Sequence, residues 1–206
     1  ATTGRPGPVL IDMPKDVLLS ECNFEYPDEV DMPGYKPTSE GHVQQVKKAV
    51  EAMARAKRPV FYVGGGAVLS DSAKELTKIA RKTKIPVTTT LLGLGSFPES
   101  DPLSLGMLGM HGTWYSNMAV NESDLVIAVG SRYDDRVTGK VDAFGAKAEH
   151  IHIDVDPASI SKNIRVDYPI VGDCRNVLKK MAPMVEKSDT AEWLKLIDHW
   201  KETHPL

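Results

Sequence analysis

The densest chemistry in the sequence lies in the stretch Leu125–Gly139, LVIAVGSRYDDRVTG. Arg132 and Arg136 bracket Asp134 and Asp135. Two guanidinium forks offer paired donors to a phosphate, and the carboxylates between them can hold those forks in place. The residues before them, Leu125 to Val129, form an uninterrupted and largely β-branched apolar run. Such a run is expected of a strand buried on both faces of a parallel sheet. Gly130 ends it. The charged residues therefore stand outside the carboxyl end of a strand, where α/β sheets present their ligand crevice. A solvated turn with self-cancelling charges fits the same residues.

Glycine clusters recur at equivalent places. Gly64-Gly65-Gly66, Gly93 to Gly95, Gly109 to Gly112, Gly130 and Gly172 each follow a strand or open a helix. Glycine there lets backbone N–H groups approach a ligand closely, and a helix start favours an anion. Together they suggest an extended ligand across the carboxyl edge of one sheet, although any single cluster fits an ordinary turn. The dinucleotide fingerprint is incomplete, because Leu69 stands at its third glycine. No Walker A motif is present. Asp154, at a strand end, can accept from ribose hydroxyls or simply form a turn beside Pro157. His111 is a lone histidine at a helix start. His150 and His152 share one strand face, but beyond Asp154 and Asp156 no further ligand suggests a metal site. No order of residues supports a Ser-His-Asp triad or a Cys-His pair.

The elements that must position these groups follow from pattern. Val9-Leu10-Ile11-Asp12 reads as a short buried strand that Met13 to Asp16 leaves. Residues 20 to 38 lack periodicity and read as an extended linker. Thr38 or Ser39 is expected to cap a helix carrying Val43, Val46, Val50 and Met53. Pro59 to Val63 is a strand. Ser70 or Ser72 caps the next helix, with Ser72 and Glu75 fitting a capping box over Leu76, Ile79 and Ala80. Pro86 to Leu91 is a strand by β-branching. A short helix to about Asn121 precedes the Leu125 strand. His150 to Asp156 and Tyr168 to Val171 are further strands. Gly172-Asp173 caps a helix facing inward with Val177, Leu178 and Met181. A last amphipathic helix carries Trp193, Ile197 and Trp200. Alternating strands and helices from Pro59 onward argue for a parallel sheet with helices on both faces and right-handed crossovers.

Composition bounds the function. The 206 residues suffice for one large domain with appendages, and a net charge of -3 with scattered basic residues speaks against nucleic-acid or membrane-surface binding. Cys22 and Cys174 are far apart and form neither a metal motif nor a disulfide framework, so a reducing compartment is expected. No apolar run is long enough to span a bilayer. The chain opens at Ala1 within a motif, as a piece cut from a longer protein would.

Several segments carry a resemblance: GRPGPVLIDMPKD (Gly4 to Asp16), YVGGG (Tyr62 to Gly66), IPVTTTLLGLGSFP (Ile85 to Pro98), LGMLGMHG (Leu105 to Gly112), VGSRYDDRVTG (Val129 to Gly139) and HIDVDP (His152 to Pro157). In order and over nearly the whole chain, they resemble the catalytic large subunit of acetolactate synthase, also called acetohydroxyacid synthase, in the thiamine-diphosphate-dependent superfamily. The resemblance implies an α/β, Rossmann-like (DHS-like NAD/FAD-binding) three-layer central domain with a six-stranded parallel sheet. It divides the chain into residues 1–37, the end of a pyrimidine-binding domain plus linker, and 38–206, an FAD-binding central domain.

The same resemblance carries FAD contacts onto Arg5, Gly64, Gly65, Gly66, Thr90, Leu91, Leu108, Gly109, Met110, His111, Gly130, Ser131, Arg132, Asp134, Arg136 and Val137. Asp154, Val155, Ser159, Gly172 and Asp173 come beside adenosine or flavin. Arg132, Met110, Asp135, Val137 and Lys15 come near the substrate channel of the intact enzyme. Leu92 stands where relatives can carry a glutamine, and Asp154 is shorter than the glutamate of some relatives. The thiamine-diphosphate signature is absent, since Gly172-Asp173 is followed by Cys174 and lacks the rest. Thiamine diphosphate and Mg2+ are therefore expected on domains outside this chain, and the chain alone is expected to be inactive. The implied setting is a cytoplasmic homodimer or tetramer, with the remaining domains of the subunit and in some cases a small regulatory subunit. Two alternatives stand beside it: an architectural domain without nucleotide, and the central domain of a pyruvate-oxidase-type enzyme.

Overall fold

The structure is a computed structural model that describes residues 1–205. The chain falls into two compact units, the first ending at Pro37 and the second starting at Thr38.

The first unit holds one short helix, α1 (Lys15–Leu19), preceded by Pro14. The strand expected at Val9 to Asp12 is not formed, and Val9, Leu10 and Ile11 are exposed. A strand persists only when a neighbour takes up its N–H and C=O groups, and no strand among the described residues pairs with this one. Residues 20–37 run without helix or strand.

The second unit is built on an all-parallel sheet of six strands. These are β1 (Pro59–Val63), β2 (Val87–Thr89), β3 (Ser104–Met107), β4 (Leu125–Val129), β5 (Glu149–Asp154) and β6 (Tyr168–Val171), in the order β3-β2-β1-β4-β5-β6. Chain direction from the centre reverses between β1 and β4, which makes that gap the topological switch point. The helices are α2 (Val43–Arg55), α3 (Gly65–Leu69), α4 (Ala73–Thr83), α5 (Trp114–Asn121), α6 (Asp135–Thr138), α7 (Cys174–Met181) and α8 (Ala191–Thr203). Period-two alternation assigns the strand residues to two cores. Phe61, Val63, Ile127, Val129, Ile151 and Ile153 pack with α2, α4 and α7. Val60, Tyr62, Val126 and Ala128 pack with α5 and α8. This is the three-layer arrangement expected. No helix among the described residues is long and apolar enough to cross a membrane.

Local readings needed correction at several ends. Helix α2 starts after His42, not at Thr38 or Ser39. The Ser39 carbonyl instead accepts from the Asp173 N–H at 2.8 Å, and Glu40 bridges to Gly172, so this segment is held extended until Gly41 turns it. Ser72 does precede α4, but its hydroxyl donates to the Ala67 carbonyl at 2.8 Å, leaving no capping box with Glu75. Strand β2 ends at Thr89, and Leu91–Gly93 forms a tight turn capped by Thr90. The β5 ladder stops at Asp154 rather than Asp156. Strand β3 and helix α3 escape pattern reading because SLGM and GGAVL are glycine-bearing and too short to show a period.

Candidate functional site

The loops after β1 and β4 meet at the switch point. The Gly64 N–H donates to the Val129 carbonyl at 2.9 Å, and the Gly66 N–H donates to the Gly130 carbonyl at 3.0 Å. A Cβ added to Gly64 would stand 2.3 Å from the Gly130 oxygen, and one on Gly66 would stand 2.8 Å from the Gly130 Cα. These glycines therefore serve first to bring two loops together. That contact forms the floor of the switch point. Only Gly65 and Gly66 of the triplet keep partial exposure, and a Cβ on Gly65 would press on Leu92 at 3.1 Å.

Beyond the floor, the strand ends line up along one edge. Leu91 and Leu92 are exposed after β2, and Met110 and His111 are exposed after β3, while Leu108 is buried. The Gly109 N–H donates to Asn117 Oδ1 at 2.9 Å, and the Met110 N–H donates to the Arg136 carbonyl at 3.2 Å. The Leu108–His111 turn and the Arg136–Val137 segment are thus locked side by side. After β4, Ser131 and Tyr133 are buried while Arg132, Asp135 and Arg136 are exposed. Asp134 caps α6, accepts from Arg132 at 3.0 Å, and lies opposite the Arg136 N–H. Its carboxyl is held below the usual range by a hydrogen bond from the Asp135 carboxyl, by the Arg136 N–H, and by the charges of Arg132 and Arg136.

The β5 and β6 ends differ in kind. Asp154 is buried and accepts from the Asp156 N–H at 2.9 Å, with Val155 half-buried beside it. Ser159 donates to Asp156 at 3.2 Å. Asp173 accepts from the Asn176 N–H at 3.0 Å as the cap of α7. Gly172 packs so tightly that a Cβ would stand 2.7 Å from the Gly41 nitrogen. Cys174 is inert, its buried thiol pushed up to about 12. Arg5 and Lys15 belong to the first unit.

Pattern reading put His150 and His152 on one strand face but did not join them to Tyr133 under the β4 loop. Tyr133, His150 and His152 form a cluster there with Tyr62 and Phe144. The signal is that His150 and His152 alternate with Ile151 and Ile153, so both face one side of the sheet. His150 Nδ1 lies 3.1 Å from the Tyr133 hydroxyl and Nε2 lies 3.4 Å from the Gly145 carbonyl. A carbonyl only accepts, so Nε2 carries a proton, and in the neutral ring Nδ1 is left to accept from the Tyr133 hydroxyl. Burial holds the His150 pKa below its ordinary value, partly offset by the Gly145 carbonyl and by Asp167.

The unfolded chain takes up that proton near pH ~6.5, and the folded chain resists it. His150 therefore contributes stability above about pH 6.5 that is lost as the pH falls. Urea midpoints should drop between pH 7.5 and 5.5, and the drop should be smaller in His150→Asn. An equal drop in both would assign it elsewhere.

The edge as a whole offers exposed apolar side chains at one end and two exposed guanidinium groups near its centre. A buried carboxylate, Asp154, stands beyond them. This suits an elongated ligand with a flat apolar ring and phosphates. The family model described as thiamine pyrophosphate enzyme, central domain, matches residues 46–181. The chain is 51% identical over 98% of its length to a probable acetolactate synthase large subunit of Methanocaldococcus jannaschii. It is 50% identical over its full length to the acetolactate synthase large subunit of Corynebacterium glutamicum, and 45% identical to the acetolactate synthase of Mycobacterium bovis. It spans 35%, 34% and 34% of those three proteins, about a third of each. With its sheet order and this match over most of its residues, the chain belongs to the family of thiamine pyrophosphate enzyme central domains.

Proposed function

We propose that this chain is the FAD-binding central domain, with a preceding linker, of an acetolactate synthase large subunit. The observation that carries the reading is similarity to such subunits along the whole chain. In the parent enzyme, pyruvate would be decarboxylated on thiamine diphosphate and joined to a second 2-oxo acid, a step toward branched-chain amino acids. FAD would serve as a structural group, since that net reaction transfers no electrons. Arg132 and Arg136 would take its diphosphate. The Gly65 turn would lie beneath it, Asp154 would accept from ribose hydroxyls, and Leu91, Leu108, Met110 and His111 would border the ring.

In this reading thiamine diphosphate and Mg2+ belong to the domains outside this chain. Asp173 is engaged as a helix cap and Gly172 is packed on Gly41, so that pair holds no metal. Purified chain with pyruvate, Mg2+ and thiamine diphosphate is expected to form no acetolactate. The working assembly in this reading is a cytoplasmic homodimer or tetramer completed by the remaining domains, with or without a small regulatory subunit.

An architectural domain without nucleotide is the second reading. The contact that Gly64, Gly66 and Gly130 make with one another favours it, because it explains those glycines without a ligand. Titration with FAD separates the two. Saturable quenching of flavin fluorescence, with a rise in melting temperature, is expected, because a ligand that binds only the folded state stabilises it. Both should be lost in an Arg132→Ala, Arg136→Ala double variant. A folded chain that binds no FAD would favour either the architectural reading or a site completed only by the missing domains, and the same titration on the full-length subunit would separate those two.

A further inference from the structure

We propose that Tyr133, His150 and His152 form a clamp beneath the β4 loop that fixes where Arg132 and Asp134 point. They are positioning residues, and their effect on a ligand rests on the anion-binding reading given above.

Tyr133 has φ 51°, a left-handed conformation that side chains with a Cβ rarely adopt. It is nonetheless buried, at 2% exposure. Such a conformation persists only where the surroundings over-determine it. Here they do. The Tyr133 ring stands edge-on to both His150 and His152, at 5.6 and 5.2 Å between centroids, and Tyr62 lies 5.4 Å away. Its hydroxyl meets His150 Nδ1.

The backbone is held as well. His152 Nε2 donates to the Ser131 carbonyl at 2.7 Å, and Asn163 Nδ2 donates to the Tyr133 carbonyl at 2.8 Å. The carbonyls of Ser131 and Tyr133, on either side of Arg132, are therefore both held. The left-handed residue sends Tyr133 into the core and its two neighbours outward, where Arg132 and Asp134 meet at 3.0 Å.

His152 is shaped for this one contact. It is fully buried, and its Nδ1 has no hydrogen-bond partner among the described residues. A buried imidazole with an unpaired nitrogen costs stability that an apolar side chain would not. Its other nitrogen reaches the Ser131 carbonyl and lies 3.7 Å from Asp154 Oδ2. One ring thus ties the β4 loop to the β5 end, the two strand ends from which Arg132 and Asp154 face the edge.

The test compares His152→Ala and Tyr133→Gly with His152→Gln and Tyr133→Phe in the 206-residue chain. Glutamine can restore the donor to Ser131, and phenylalanine keeps the ring. Two readouts are taken: hydrogen exchange of the amides at residues 131–137, and affinity for FAD and for inorganic pyrophosphate. His152→Ala and Tyr133→Gly should speed exchange in that loop more than elsewhere and weaken both ligands about ten-fold, the worth of one lost hydrogen bond. His152→Gln and Tyr133→Phe should return both readouts most of the way. Unchanged loop exchange in the folded Ala and Gly variants would overturn the clamp. Failure of the unsubstituted chain to bind either ligand would overturn the anion reading instead, and the exchange comparison would still decide the clamp. Should one of the two disruptive variants not fold, the other carries the same comparison.

Discussion

Gly130→Ala is expected to cost about 3 kcal/mol and lower the melting temperature by roughly 10 °C. Two penalties combine there. The residue has φ 59°, and its added Cβ would stand 2.6 Å from the Ala67 nitrogen and 2.7 Å from the Gly66 Cα. Both obstacles are backbone, so no rotamer change relieves them. Gly139→Ala isolates the first penalty. Gly139 has φ 55° with nothing within 4 Å of an added Cβ, so about 1 kcal/mol is expected from conformation alone. Thermal unfolding of the two variants measures the difference. Equal losses would mean that the contact between the β1 and β4 loops adds nothing.

Trp193→Ala is expected to cost about 3–5 kcal/mol, enough to leave much of the chain unfolded at 37 °C. Trp193 is 2% exposed on α8, and its indole N–H donates to the Pro59 carbonyl at 3.1 Å. Truncation removes a large buried surface and strands a carbonyl at the start of β1. Trp193→Phe keeps most of the surface and loses the hydrogen bond, so about 1 kcal/mol plus a modest packing loss is expected. Chemical denaturation followed by circular dichroism would rank the three proteins. Because the family match ends at residue 181, an undiminished Trp193→Ala protein would show α8 to be an appendage rather than part of the core.

Much of this fold is legible in the sequence because long segments repeat one signal. LVIAV reads as a doubly buried strand, and its five residues are all buried. The faces of α4 and α7 follow from Leu76 and Ile79 and from Val177, Leu178 and Met181. The misreadings have a common physical cause. At Ser39 and Ser72 the hydrogen-bonding group found a partner distant in sequence or outside the helix, and local capping rules do not see such partners. Val9 to Ile11 has the composition of a strand without a neighbour to pair with.

The candidate site was legible as a set of positions along one edge, through the charges of Arg132 and Arg136 and the glycines after each strand. The task of those glycines was not. That Gly64, Gly66 and Gly130 press on each other depends on β1 and β4 being neighbours, which no local pattern states. The Tyr133 cluster was hidden for a related reason: a tyrosine amid charges reads as a loop residue until its left-handed backbone turns it inward.

The placement of β4 beside β1 also has a kinetic consequence. The register pairs Pro59 with Leu125, so the central ladder joins residues that are remote in the chain. Its other neighbour, β5, is made later still. The most apolar segment of the molecule therefore gains its β1 partner only when a long loop closes, and closure entropy makes such pairings slow. During that interval LVIAV, which carries no charge or proline of its own, is a sticky edge guarded only from its flank by Asp124. Refolding yield should consequently fall with protein concentration more steeply than native stability alone would imply, and the vulnerable species is a half-assembled sheet rather than the finished one.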